Sequence, residues 1–268
     1  MSDEARVWTG DARALERALR ARISGEVRFD DGSRALYATD ASNYRQVPIG
    51  VVIPKTADDV VAAFEVARGF AAPILARGGG TSLAGQCCNV AIVLDFSKYL
   101  NRVIEINPGE KWARVEPGIV LDDLRAAALK HGLTYGPDPA THAQNTLGGM
   151  IGNNSCGMHA QMAGKVEDNV YELDILTYDG LRLTVGKTPP TSSSASVGAV
   201  TAPAKSIAVY ASCAIAMHPT SASDFRIFRA ASRDIRSTNS SPKTNSTSRA
   251  RWWEPNVPAP SSFRPRSS

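Results

Sequence analysis

The chain has 268 residues, 43% of them hydrophobic, with 30 Lys and Arg against 26 Asp and Glu for a formal charge of +4. That length suits one large domain or two modest ones with a real core. No apolar run approaches the ~18 residues needed to span a bilayer, so no membrane-spanning helix is expected.

The charge is not spread evenly. Residues 1–188 hold 20 basic and 23 acidic side chains, whereas residues 189–268 hold 10 and 3. The first stretch has 16 Leu and 7 Ser; the second has no Leu and 18 Ser. Two unlike sequences meet near Thr188.

In chain order, Asp11 to Ile23 places Leu15 and Leu19 four apart among Arg and Glu, the spacing of an amphipathic helix capped by Asp11. Ile49 to Ile53, short and β-branched between Pro48 and Pro54, reads as a strand. Thr56 then caps a helix with Asp58 and Asp59 in its first turn, and that helix ends at Gly69. Ile74 to Ala76 is a short strand entering a glycine loop, and Ala91 to Phe96 is another strand. Arg102 to Ile106 and Trp112 to Val115 read as antiparallel strands. Leu121 to His131, followed by Gly132, is a helix. Val170 to Tyr178 and Leu181 to Val185 flank Asp179-Gly180, a two-residue hairpin turn. Strands interleaved with helices predict an α/β or α+β fold.

Two glycine-rich loops interrupt these elements. In the first, Pro73 to Gln86, a strand runs into Arg77-Gly78-Gly79-Gly80-Thr81-Ser82. Three glycines without Cβ atoms let successive N–H groups point into one concavity, a nest for anions and phosphate above all. Thr81 and Ser82 add hydroxyl donors, and Arg77 adds a cation near the rim. The loop is neither a Walker A sequence nor a Rossmann fingerprint, and a glycine triplet alone favours a plain surface turn. The second loop, Tyr135 to Gly157, carries five Gly, two Pro and three Asn over 23 residues. That is too long for a simple connection and suits a binding loop. Leu147, Met150 and Ile151 argue for burial, and Gly148 and Gly149 for close approach of a ligand to the backbone.

ARGGGTSLAGQ, VEPGIVLDDL, YGPDPATHAQNTLGGMIGNN and ELDILTYDG, in that order, resemble the FAD-binding domain of the vanillyl-alcohol oxidase/p-cresol methylhydroxylase (PCMH-type) flavoprotein family. The branch resembled is the FAD-linked 2-hydroxy-acid dehydrogenases, such as D-lactate dehydrogenases and the flavin subunit of glycolate oxidase. The resemblance implies an α+β fold of two α+β subdomains over residues 35–188, incomplete at its C-terminal end, after a helical lead-in at 1–34. It implies FAD held between the subdomains. Arg77, Gly78, Gly79, Gly80, Thr81 and Ser82 would wrap the pyrophosphate. Pro137, Asp138, Thr141, Thr146, Leu147, Gly148 and Gly149 would line the pyrophosphate and isoalloxazine side, with Gly152 and Asn153 close by. Ile175 would contact the flavin or adenine edge through its backbone. Covalent members of the family have a histidine after the first glycines; Thr81-Ser82 stands there in this chain, which implies non-covalent FAD. Cys156 in NNSCG departs from the Gly or Ala common in relatives.

Other residues carry weaker signals. His142 and His159 offer acid/base chemistry or substrate orientation, and more plainly satisfy loop hydrogen bonds. His131 ends a helix, facing its dipole. Cys87 and Cys88 are adjacent thiols entering a buried strand, more in keeping with core packing than redox chemistry. Asp58 and Asp59 are helix-start residues. Four cysteines give no disulfide framework and no metal-ligand spacing, and MSDEARVWTG has no apolar signal region, so a cytoplasmic location is expected.

The stretch 189–268, rich in Ser, Pro and Arg, shows no sustained period and is expected to be a disordered tail. One reading makes it a basic arm for nucleic acid or acidic membrane, with Trp252 and Trp253 stacking. The favoured reading is a shifted reading frame. Permitted codons for Asn239 to Pro255, read from the third base, give LLPENEFNVARALVGT, which looks like a later segment of the same flavin domain. The chain is then expected to be the FAD-binding fragment of an enzyme that oxidises a small 2-hydroxy acid and passes electrons to a quinone, cytochrome or partner flavoprotein. As a fragment it would hold FAD weakly or not at all and be inactive alone. Alternatives are a non-enzymatic binding protein using the basic tail, and an oxidase of a phenol, aldonolactone or sugar.

Overall fold

A computed structural model of the chain describes residues 8–186 and 209–220, all within one unit of the chain, Met1–Ala230. Helix α1 (Ala12–Arg22) starts where the Asp11 carboxylate accepts from the N–H groups of Arg13 and Ala14 at 2.9 and 3.1 Å. Leu15 and Leu19 on its inner stripe are fully buried. The chain then forms β1 (Glu26–Arg28), α2 (Asp31–Leu36) and β2 (Gly50–Ile53). In α3 (Ala57–Gly69) the Thr56 hydroxyl accepts from Asp59 N–H at 3.1 Å, the expected cap. Strands β3 (Ile74–Arg77) and β4 (Ile92–Asp95) complete a sheet of order β1-β2-β4-β3, in which β2, β4 and β3 are parallel and β1 is antiparallel. Helices α1 and α3 share one core with this sheet, built on Leu19, Phe64, Ile92 and Leu94. The lead-in expected at 1–34 is therefore not separate. It supplies α1 and β1 to the first subdomain because its apolar stripe needs α3 to bury against.

The second subdomain begins with β5 (Val103–Asn107) and β6 (Trp112–Val115), paired antiparallel as expected. There follow α4 (Leu121–Leu129), β7 (Leu133–Thr134), α5 (Leu147–Asn153) and α6 (Ala160–Ala163). A 3-10 turn at Val166–Asn169 leads into β8 (Val170–Leu176), β9 (Arg182–Gly186), β10 (Val209–Ala216) and β11 (His218–Pro219). The five-stranded sheet runs β5-β6-β10-β8-β9, every pair antiparallel. Its core gathers Val115, Leu121, Leu124, Tyr135, Leu147, Met150 and Ile215. Two subdomains, each a sheet with its own helices and core, give the α+β arrangement that the sequence implied.

Two expectations need correction. The β8–β9 turn is not a two-residue Asp-Gly turn. Thr177 pairs with Leu181 (N–H to O, 2.9 Å), Gly180 N–H donates to Thr177 O at 2.9 Å, and Gly180 takes φ +92°, the pattern of a three-residue loop with a glycine bulge. More consequentially, the fold does not end at residue 188. Strand β10, expected to be part of a disordered tail, is the central strand of the second sheet. Missing leucine is a poor guide there: Ser212, Cys213, Ala214, Ile215, Ala216 and Met217 are all buried, and Cys213, Ile215 and Met217 join the second core in place of leucine. The remainder of the tail, with Trp252, Trp253 and the stretch read as frame-shifted, lies outside the described residues.

Candidate flavin-binding cleft

The first glycine loop leaves the carboxyl end of β3, at the edge where the parallel strands of an open sheet place ligand crevices. Among the described residues, the N–H groups of Gly78, Gly79, Gly80 and Thr81 meet no acceptor. The loop turns at Gly80, φ +65°, a left-handed conformation that glycine adopts without strain. The Ser82 hydroxyl is used inside the loop, donating to Gln86 Oε1 and accepting from the N–H groups of Ala84 and Gln86 at 3.3 and 3.4 Å. Arg77 is not a free rim cation. Its guanidinium donates to the carbonyls of Tyr37, Cys87 and Thr39 at 3.2, 3.0 and 2.8 Å.

The second loop closes against the first. A Cβ on Gly78 would stand 1.9 Å from Thr146 Oγ1, and one on Gly79 would stand 2.0 Å from the Gln144 carbonyl oxygen. The loops are in close contact at both positions, which explains these two glycines without any ligand. The second loop is also stitched to residues 117–121. Gly148 N–H donates to Pro117 O at 2.7 Å, Leu147 N–H to Ile119 O at 2.9 Å, and Leu121 N–H to Asn145 O at 3.2 Å. Part of what reads as loop is helix α5, ended by Asn154 at φ +47°.

Between the loops lies a cleft of about 780 Å³, within the range of small-molecule sites. Of the residues singled out from the sequence, Arg77, Gly78, Gly79, Gly80, Thr81, Ser82, Thr141, Thr146, Gly148, Gly149, Gly152 and Asn153 line it. Four do not. Leu147 is fully buried in the second core. Pro137 is buried, its carbonyl accepting from Arg125 at 3.3 Å. Asp138 accepts from the backbone N–H and the Nδ1 of His159. Ile175 sits in mid-sheet, paired with Leu183 on one side and Tyr210 on the other. The sequence did not single out Gln86, Phe96, Pro117, Asn145 or Ser155 as lining residues. Asn145 was findable, adjoining Thr146 in the same motif.

The lining has a distinct chemistry. Asn145 and Thr146 are 5% and 2% exposed, yet Asn145 Oδ1 and Thr146 Oγ1 have no partner among the described residues. Such buried groups normally find one. Titratable lining residues are Arg77, Cys87 and Cys156, with no carboxylate, histidine or lysine. The Cys87 thiol is pushed up, burial outweighing Arg77. His142 and His159 stand off the cleft, their Nδ1 atoms against Asp122 (2.8 Å) and Asp138, which matches the loop hydrogen-bonding role. His131 is exposed beyond α4. Cys88 is buried. Asp59 is more than a helix-start residue. Buried at 5% exposure, it accepts from the N–H groups of Ser24 and Lys55, both at 2.8 Å. Burial works against its charge, but these donors outweigh it and hold the carboxyl below its ordinary value. No group of three or more metal-ligating side chains occurs among the described residues.

A sequence family described as an FAD binding domain matches residues 48–186, 139 of the 268 residues and so more than half the chain. The chain belongs to this FAD-binding family. A D-2-hydroxyglutarate dehydrogenase of Pseudomonas putida is 37% identical over 175 residues, 63% of this chain and 17% of the relative. The glycolate oxidase subunit GlcD of Bacillus subtilis is 33% identical over 164 residues, 59% of this chain and 35% of the relative. The chain thus spans a minor part of the curated relatives it matches. Among solved structures, an alkyldihydroxyacetonephosphate synthase superposes with TM-score 0.65 at 20% identity, over 84% of this chain and 46% of that one. A BBE-like protein variant of Physcomitrella patens gives 0.63 at 21%, over 78% and 45%. At those identities the likeness is one of fold.

The family's cofactor is FAD, and the cleft fits it. Four free N–H groups suit a pyrophosphate. The unpartnered Asn145 and Thr146 oxygens offer polar contacts, and Gly152, with nothing within 4 Å of a would-be Cβ, leaves open space.

Proposed function

We propose that the chain is the FAD-binding portion of a flavin-dependent oxidoreductase that oxidises a small 2-hydroxy acid, and that it does not turn over substrate alone. The observation carrying this reading is the glycine-loop cleft, with its free N–H nest, in a chain whose relatives are named for D-2-hydroxyglutarate and glycolate. Bound FAD supplies the hydride acceptor. The Gly78–Thr81 N–H groups would hold its pyrophosphate. Oxidation of a 2-hydroxy acid also requires a base for the hydroxyl proton and groups that hold the acid against the flavin. Among the described residues the cleft lining offers no carboxylate or imidazole for that work. Thr81-Ser82, standing where covalent members of the family carry a histidine, supports non-covalent binding of the flavin.

The test is titration of the purified chain with FAD, followed by addition of D-2-hydroxyglutarate, D-lactate or glycolate with a dye acceptor. Of weak binding and none, the free N–H nest favours weak binding: weak but saturable FAD binding, release of all flavin on acid precipitation, and no substrate-dependent dye reduction are expected. Absence of any FAD binding would sink the reading, and bleaching of the flavin by one of these acids would overturn the claim that the chain is inactive alone.

A further inference from the structure

Arg77 ends β3 directly before the nest, and its guanidinium reaches three carbonyls on two separate segments. Nη1 donates to Tyr37 O and Cys87 O, and Nη2 to Thr39 O. Cys87 lies just past the far end of the loop. One side chain therefore joins the start of the loop to its finish and ties both to residues 37–41. The Ala41 N–H adds a bond to Gly80 O at 3.0 Å. The guanidinium also stacks on the Tyr37 ring, 5.2 Å from its centroid, and the Tyr37 hydroxyl donates to Asp95 Oδ2 at 2.5 Å. Asp95 is the register partner of Arg77 on β4, so the clamp is anchored to the sheet itself. A Cβ on Gly80 would come within 2.7 Å of Arg77 Nη2, which puts the cation against the residue where the nest turns.

We infer that Arg77 is the positioning residue of the cofactor nest: it fixes the concavity formed by the Gly78–Thr81 N–H groups and places a positive charge beside it without itself being the phosphate ligand. This rests on the flavin reading above. Arginine suits the task because its planar fork presents five donors in fixed directions, whereas a lysine ammonium is compact and cannot span three carbonyls.

The experiment compares wild type, Arg77→Lys and Arg77→Met as full chains, measuring FAD and ADP affinity by calorimetry at two salt concentrations and melting temperature without ligand. Arg77→Lys is expected to weaken FAD and ADP in parallel by roughly tenfold, the scale of lost charge-assisted hydrogen bonds, with the melting temperature within about 2 °C of wild type and the salt dependence retained. Arg77→Met, which also loses the charge, should bind more weakly and with a flatter salt dependence. Wild-type affinity in Arg77→Lys would overturn the inference, as would a fall in melting temperature that tracks the loss of binding. Hydrogen exchange in the ligand-free chain tests the clamp independently of any ligand. Faster exchange at Ala41, Gln86 and Cys87 in Arg77→Lys supports the clamp, and unchanged exchange overturns it. If wild type binds neither ligand, the flavin reading falls while the exchange data still decide the clamp.

Discussion

Gly79 and Gly152 belong to the same pair of loops for opposite reasons. A methyl group on Gly79 would meet the Gln144 carbonyl oxygen at 2.0 Å, whereas one on Gly152 would meet nothing within 4 Å. Gly79→Ala must push the loops apart and is expected to destabilise the ligand-free chain by ~1–3 kcal/mol, as overpacking does. Gly152→Ala, which replaces a helical glycine with room for the methyl group, should hold or raise stability by up to ~1 kcal/mol and alter FAD affinity; a melt for Gly79→Ala as high as that of Gly152→Ala would refute the interlocking of the loops. Thr146 makes a complementary case. Its hydroxyl is buried without a partner among the described residues and does not cap α5. Replacing it by the near-isosteric Val removes an unmet polar group, so Thr146→Val should match or exceed wild type in urea stability while binding FAD several-fold more weakly. Unimpaired FAD binding by Thr146→Val would remove Thr146 Oγ1 from the cofactor site. At this scale the sequence disclosed glycine clusters but not their cause. Three glycines in a row read as a nest, yet two of the three are packed against the second loop. That contact joins residues more than 60 positions apart, which no local spacing reveals.

At the scale of elements, legibility followed local chemistry. The cap at Thr56, the stop at Gly69 and the β-branched run before Pro54 were all visible because each signal sits beside the element it sets. Helix α5 was hidden by Gly148, Gly149 and Gly152, poor helix formers. Thr146 before it and Asn154 after it were the boundary residues to notice. Strand β10 was hidden by composition, since a serine-rich, leucine-free stretch reads as unfolded while eight of its residues, Val209–Ala216, form a strand. Ile215 offers the direct test of that strand, being 0% exposed within the second core. Ile215→Ala should cost roughly 2–5 kcal/mol, the penalty for a core Ile truncation, read as a shift in denaturation midpoint. A surface-like effect below ~0.5 kcal/mol would show that β10 does not occupy the sheet.

For the whole molecule, acid is the informative stress. His218 is 2% exposed, its Nε2 lies 2.5 Å from Asn169 Oδ1, and burial lowers its pKa from 6.5 to about 4. Between those values the unfolded chain holds a proton that the folded chain refuses. Stability is therefore complete above about pH 6.5 and is lost as the pH falls toward 4, by on the order of 3 kcal/mol from this group alone. Asp59 does not compete in that window, because its lowered pKa places its own loss below the ordinary carboxylate value of 3.8. Urea midpoints at pH 7.5 and 5 should differ in wild type and differ less in His218→Gln; equal pH sensitivity would assign the effect elsewhere.

The placement of β10 also dictates an order of events on the ribosome. Every strand of the first sheet lies within residues 26–95, so that sheet has all its strands early in synthesis. The second sheet waits for Cys213 to meet Val115, 98 positions upstream. Until then β5–β6 and β8–β9 are separate two-stranded ribbons, which are marginal in water. The nascent chain therefore carries a finished first sheet and an open second one through more than a hundred residues of elongation. During that interval the cofactor nest exists without the partner loop's finished support.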